Sequence, residues 1–291
     1  MTADSSLVPV RRADYALVGL FCLLLFGYTL FDGRPLSLHE ARLPQTSREM
    51  MRGGDWLIPR SGGRPWLERP PLPHWITVSV NAVLGQHCDT VWAVRLPAVL
   101  MGTIITLLTL YIAATLFGRG IGVVSALVLA TAYEFYTYST LAEDDIFLAA
   151  VVMGEMACFV AVEFRPRAQN PLARPESVIG KRPWQVLPFF ALLGLSNMAK
   201  GPLVGTAVAV IACGGFLLWG DPKRVLRYVW LWGWLTYAAI ALAWPLLVMH
   251  KYVDARKNWL FDYGETTQYD QPIWYYPVES LGRLAHGHRR C

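Results

Sequence analysis

The sequence predicts an all-α, polytopic membrane protein of about seven transmembrane helices, and three observations carry that prediction. Of 291 residues, 54% are hydrophobic and only 16% are charged, whereas soluble domains carry roughly 25% charged residues. Seven apolar runs approach the roughly 20 residues that a helix needs to cross ~30 Å of hydrocarbon. Between the first two of them lies a polar segment, residues 33–90, several times longer than the roughly two to eight residues that join helices in bundles.

The apolar runs cover residues 15–31, 92–117, 121–138, 146–164, 184–198, 202–219 and 228–249. The first follows Arg11 and Arg12, but no small-residue cleavage site precedes Arg34, so it reads as a retained anchor rather than a signal peptide. Arg165, Arg167, Arg174, Lys181 and Arg182 follow the fourth run, and Lys223, Arg224 and Arg227 follow the sixth. Together with Arg11 and Arg12 they place the N-terminus in the cytoplasm by the positive-inside rule. The long first loop, the turn at Asp145, the turn at Lys200 and the C-terminal tail then share the outer side. These anchors account for the net charge of +5, which gives no reason to invoke nucleic acid. Cys22, Cys158 and Cys213 fall inside apolar runs, Cys88 lies at the edge of the loop, and no C-x-x-C pair announces a zinc site or a disulfide framework. No internal repeat or low-complexity stretch is present.

The first loop divides into three. Residues 40–53 are expected to form a short helix with a partial apolar stripe of Ala41, Leu43, Met50 and Met51, stopped by Gly53-Gly54. Residues 55–71 are turn-rich, with Ser61-Gly62-Gly63 and Pro70-Pro71. Residues 72–84 are too short to span and open after prolines, as helices often do. Trp56, Trp66, Trp75 and Trp92 suit an interfacial belt, so both helices are expected to lie in the interface plane. A loop this rich in acids and bases, edged by lipid-seeking aromatics, reads as a working surface.

The order of short motifs carries a resemblance. Leu38-His39-Glu40-Ala41-Arg42 is followed by Ser47-Arg48-Glu49-Met50, Gly54-Asp55-Trp56 and Leu67-Glu68-Arg69-Pro70-Pro71. Then come Arg95-Leu96-Pro97, Ala142-Glu143-Asp144-Asp145 and Ala199-Lys200-Gly201-Pro202. Each piece is weak alone; seven in order are strong. The series resembles the type C glycosyltransferases of the protein O-mannosyltransferase and aminoarabinose-transferase kind (glycosyltransferase family 39-like). The resemblance implies an integral membrane enzyme, in a bacterial cytoplasmic (inner) membrane, taking a sugar from a polyprenyl-phosphate donor at the outer face with inversion. The acceptor, whether lipid, protein or glycan, stays open. Two departures stand out. His39 occupies the place of the aspartate that the family uses as catalytic base, and the family is longer. Residues 1–291 are therefore expected to be a single transferase-like module, with 33–90 as its catalytic loop, lacking further C-terminal helices and a soluble domain.

Transfer from a phosphate-linked sugar needs a base for the acceptor and cations for the departing phosphate. The base is Glu40, or His39 if the histidine has taken over the aspartate's role; the bland reading of His39 is a helix cap. The resemblance makes Asp145 a site acid at the start of the fourth helix, with Asp144 supporting; the bland reading of both is an N-terminal cap. Lys200, Arg69 and Arg42 are the candidate phosphate contacts, against a reading of all three as snorkelling anchors. Arg42 alternatively pairs with Glu40 or Glu49. Glu68 orients Arg69 or shares a divalent metal ion with Glu40, although no ligand spacing announces a metal. Trp230, Trp232, Trp234 and Trp244 read as lipid-facing packing, and Glu155 as a partnered core residue in the middle of its helix. The competing reading is a truncated or degenerate relative that binds lipid-linked sugar without transferring it. A transporter is disfavoured because the charge gathers on loops rather than at the midplane.

Overall fold

The chain was analysed as a computed structural model, which describes residues 10–164, 183–201, 203–252 and 254–255. Helix α1 (Arg12–Gly27) runs on as a 3-10 turn to Phe31. The long loop holds α2 (Arg42–Gly53), a two-residue hairpin (β1 Arg60–Ser61, β2 Arg64–Pro65) and α3 (Leu72–Val83). Then follow α4 (Val91–Phe117), α5 (Arg119–Thr131), α6 (Tyr133–Thr140) and α7 (Asp145–Glu163). After the fourth expected run come α8 (Leu187–Lys200), α9 (Val204–Gly220) and α10 (Leu231–Lys251). The antiparallel hairpin is the only sheet among the described residues, so the molecule is an all-α integral membrane protein.

The expected count of seven spans is not confirmed among the described residues. Four helices among the described residues are long and apolar enough to cross: Arg12–Phe31, α4, α7 and α10. Helices α5 and α6 make a fifth only if they are taken as one bent element, because the chain turns by 67° between them. Ala132 is extended there, at ψ 127°, which breaks the run the sequence presents as continuous. Helices α8 and α9, at 14 and 17 residues, reach only ~21 and ~26 Å at 1.5 Å per residue. The two loop helices fall almost where the pattern puts them. Gly54 closes α2 at φ +67°, in the left-handed conformation that glycine alone adopts at little cost.

Lipid tails are as apolar as leucine, so close packing and polar contacts rather than hydrophobicity hold such helices together. Gly122 of α5 shows the packing: a Cβ there would lie 2.6 Å from that of Ala114 on α4. Polar clamps close the end of the bundle away from the long loop. Arg119 donates two bonds to Asp14, at 2.7 and 2.6 Å. Buried Glu163 accepts from Arg227 at 2.7 Å and from the Tyr228 hydroxyl at 3.2 Å. At the opposite end the loop is pinned to α10. The Trp244 indole donates to the Leu57 carbonyl at 2.8 Å, and Lys251 reaches Asp55 at 3.1 Å. Trp244 is thus buried, not lipid-facing as expected, whereas Trp232 and Trp234 are exposed. Cys88 is also fully buried rather than at an outer edge, and its carbonyl accepts from Arg48 at 3.0 Å.

Candidate active site

The start of the long loop and the α6–α7 turn are tied to one arginine of α4. Arg95 is 1% exposed and grips Glu40 with a two-pronged pair, Nε to Oε1 at 2.9 Å and Nη2 to Oε2 at 3.1 Å. Nη1 donates to the Arg34 carbonyl, and Nη2 donates to the Pro35 carbonyl as well. Glu40 also accepts from the backbone N–H groups of Ser37 (3.0 Å) and Ala142 (3.2 Å). Burial pushes the Glu40 carboxyl upward, but the Arg95 fork and the two amides outweigh it and leave its pKa below the usual range. Four donors on two oxygens leave Glu40 no free lone pair facing an acceptor substrate. His39, which precedes Glu40, and Glu143, which follows Ala142, are thereby held on the pocket wall.

That pocket, a cavity of about 110 Å³, is lined by His39, Arg42, Leu43, Trp66, Arg69, Ala142, Glu143, Asp144 and Asp145. It brings together His39, Arg42, Arg69, Asp144 and Asp145 from the sequence-predicted set, and leaves Glu40 and Glu68 outside its wall. Lys200 adjoins it through an ion pair with Asp145. Glu68 accepts from the Trp66 indole at 3.1 Å and lies 3.7 Å from Arg69. Arg42 pairs with neither expected partner, since Glu40 is occupied by Arg95 and Glu49 accepts the Gly62 and Gly63 amides at 2.8 and 2.9 Å. Neither α2 nor α7 has a side-chain N-cap bond, so His39 does not cap α2 and Asp144 does not cap α7.

The acids on the pocket wall differ in environment. Asp144 is partly buried, and its buried Oδ1 has no hydrogen-bond partner among the described residues. Burial raises its pKa to about 6, against the lowering pull of Arg69. Glu143 is pushed up as well, by burial and then by the neighbouring Asp145 charge. An acid poised near neutrality, with a bare oxygen and cations across the cavity, has the properties of a general base beside an anion subsite. Sequence reasoning gave Asp144 only a supporting part and missed Glu143 and Arg95. The triplet Glu143-Asp144-Asp145 was visible, but which of the three keeps a bare oxygen depends on the turn. Among the described residues no group of three or more His, Cys, Asp or Glu side chains is placed to hold a metal ion.

Residues 68–170 match the family model described as dolichyl-phosphate-mannose-protein mannosyltransferase. The undecaprenyl phosphate-alpha-4-amino-4-deoxy-L-arabinose arabinosyl transferase 2 of Proteus mirabilis is 25% identical over 279 residues, 91% of this chain and 47% of that protein. A corresponding transferase of Aeromonas hydrophila is 27% identical over 89% of this chain and 47% of its own length. The crystal structure of ArnT from Cupriavidus metallidurans bound to undecaprenyl phosphate superposes with a TM-score of 0.70, at 23% identity, over 82% of this chain and 42% of that one. Over most of its length the chain is similar to type C membrane glycosyltransferases, and it shares their membrane fold. It spans about half the length of the curated relatives it matches, and the likeness to ArnT covers the fold, with the apo form giving a TM-score of 0.69. This similarity agrees with the motif order read along residues 38–202.

Proposed function

We propose that this chain is the donor-handling part of a membrane glycosyltransferase that takes a sugar from a polyprenyl-phosphate carrier. Its relatives carry that donor class in their names. The observation that supports the reading best is the mixed pocket, where Asp144 with an unpartnered oxygen faces Arg42 and Arg69 beside Lys200. In this reading the acceptor hydroxyl or amine attacks the anomeric carbon and gives its proton to Asp144. The anomeric C–O bond to phosphate breaks, and the electron pair leaves on the polyprenyl phosphate. Arg69, Arg42 and Lys200 hold that growing negative charge, and a single displacement inverts the anomeric centre. His39 faces Glu143 on the rim and contacts the acceptor. Glu40 is a positioning residue that acts through Arg95.

Orientation follows from the basic anchors: the N-terminus is cytoplasmic and the pocket opens on the outer face of a bacterial inner membrane. The test is release of polyprenyl phosphate from a labelled polyprenyl-phosphate sugar by the native protein in liposomes. Asp144→Asn is expected to lower turnover by about 10²- to 10⁴-fold, the usual worth of a general base. Lys200→Ala is expected to weaken donor binding. Donor binding without any turnover by the wild-type protein would favour instead a degenerate relative, the reading that His39 in the aspartate position supports.

A further inference from the structure

The last turn of α8 carries Lys200 to the pocket rim, and its exit toward α9 is buckled from below by Asn197. This residue is 8% exposed, one turn before Lys200, and both ends of its carboxamide are engaged. Nδ2 donates to the Leu193 carbonyl at 2.9 Å and to Thr206 Oγ1 at 2.9 Å. Oδ1 accepts from the Leu203 N–H at 2.7 Å. Leu203 stands at φ +70°, in the left-handed region that a side chain with a Cβ rarely adopts. Only Cys88 shares that property among the described non-glycine residues. The Leu203 carbonyl then accepts from Ala207 at 2.7 Å to start α9. Below this point the two helices touch closely, since a Cβ on Gly205 would collide with the Ser196 side chain. One buried amide therefore links the last turn of α8, a strained residue and the first turn of α9.

We infer that Asn197 is a positioning residue that fixes where the Lys200 ammonium stands at the pocket rim. Holding Leu203 in an unfavourable conformation sets the exit of the connection, and the α8 end with Lys200 is thereby kept against Asp145 of α7. A mere packing role would leave Lys200 indifferent to the Leu203 conformation. Strained backbone retained beside a binding group is the pattern expected where geometry serves function. The further step, that this placement strengthens the hold on a donor phosphate, rests on the reading of Lys200 given under Proposed function.

The experiment compares acylation of Lys200 by a water-soluble amine reagent, read by mass spectrometry on the purified native protein. Lys251, paired with Asp55 on α10, is the internal reference. Asn197→Ala is expected to change Lys200 labelling relative to Lys251 by about three- to tenfold, the range set by the net worth of one hydrogen bond. Asn197→Asp keeps the acceptor for Leu203 and is expected to stay within about twofold of wild type on the same basis. Leu203→Gly removes the strain and is expected to restore labelling in the Asn197→Ala background. Should Asn197→Ala fail to fold, Asn197→Gln displaces the same carboxamide by one methylene and carries the comparison. Unchanged labelling, or equal changes at Lys200 and Lys251, overturns the inference. Labelling needs neither donor nor turnover, so it stands apart from the transferase reading. Altered labelling with unaltered binding of a polyprenyl phosphate overturns the link to the donor alone.

Discussion

Asp144 concentrates the chemistry of the pocket in one carboxyl group. Its pKa near 6 in the folded protein lies above the ordinary carboxylate value, so the folded state binds this proton more tightly than the unfolded chain. The contribution to stability is therefore fully present below pH 4 and is lost as pH rises through about 6. Asp144→Asn removes the buried charge, and the variant is expected to unfold at a higher temperature than wild type at pH 7. The gain is on the order of 1–3 kcal/mol, and a thermal melt in detergent measures it. Glu40 works in the opposite sense, because Arg95 and two amides hold its pKa down despite burial. Its stabilisation is present above the ordinary carboxylate range and disappears as pH falls through its lowered folded pKa. Arg95→Ala leaves a buried carboxylate without its partner, which costs about 3–5 kcal/mol. Chemical unfolding of the variant at neutral pH is expected to show a loss of that size, with Arg95→Lys intermediate because an ammonium cannot reproduce the fork. The pairing was not legible in the sequence, where Arg95 stands in a motif without a partner and Glu40 is read as a candidate base. What decided the matter is a pairing across 55 residues, and spacing says nothing about such distances.

At the scale of elements, the pattern was readable where the signal is local. Gly53-Gly54 and Pro70-Pro71 bracket α2 and α3 because glycine ends a helix and proline starts one, whatever surrounds them. The bend between α5 and α6 was hidden, since the run from Ile121 to Tyr138 is largely apolar and contains no proline. Trp244 was misread for a similar reason: hydropathy cannot tell a tryptophan facing lipid from one whose N–H finds a buried carbonyl. Its bond to Leu57 ties α10 to the long loop across 187 residues. Trp244→Phe keeps the ring but removes the donor, and is expected to destabilise the protein by about 1 kcal/mol. Proteolysis of the native protein should then cut the long loop faster, with α1 and α4 unaffected.

Across the whole molecule the two ends of the bundle differ in kind. The end with Asp14, Arg119, Glu163 and Arg227 is closed by fully matched ion pairs. The other end gathers a long loop, a mixed-charge cavity and the pair of Lys200 with Asp145. Membrane character and motif order were plain in the sequence because both are sums over many residues. The number of spans was not, because α8 and α9 are short of a bilayer's thickness and only packing shows where they stop. In the proposed orientation the pocket end faces outward, and an introduced cysteine tests that. Ser61→Cys, on the exposed hairpin, is expected to react with a membrane-impermeant maleimide in intact spheroplasts, and protection until lysis would reverse the orientation. The central claim is that the cavity around Asp144 performs sugar transfer from a polyprenyl-phosphate donor. The most direct measurement is the pH dependence of polyprenyl phosphate release by the native protein in liposomes, beside Asp144→Asn. The account predicts turnover that rises with pH through about 6 and is abolished in the variant. Turnover that is independent of pH across that range and survives Asp144→Asn would contradict it.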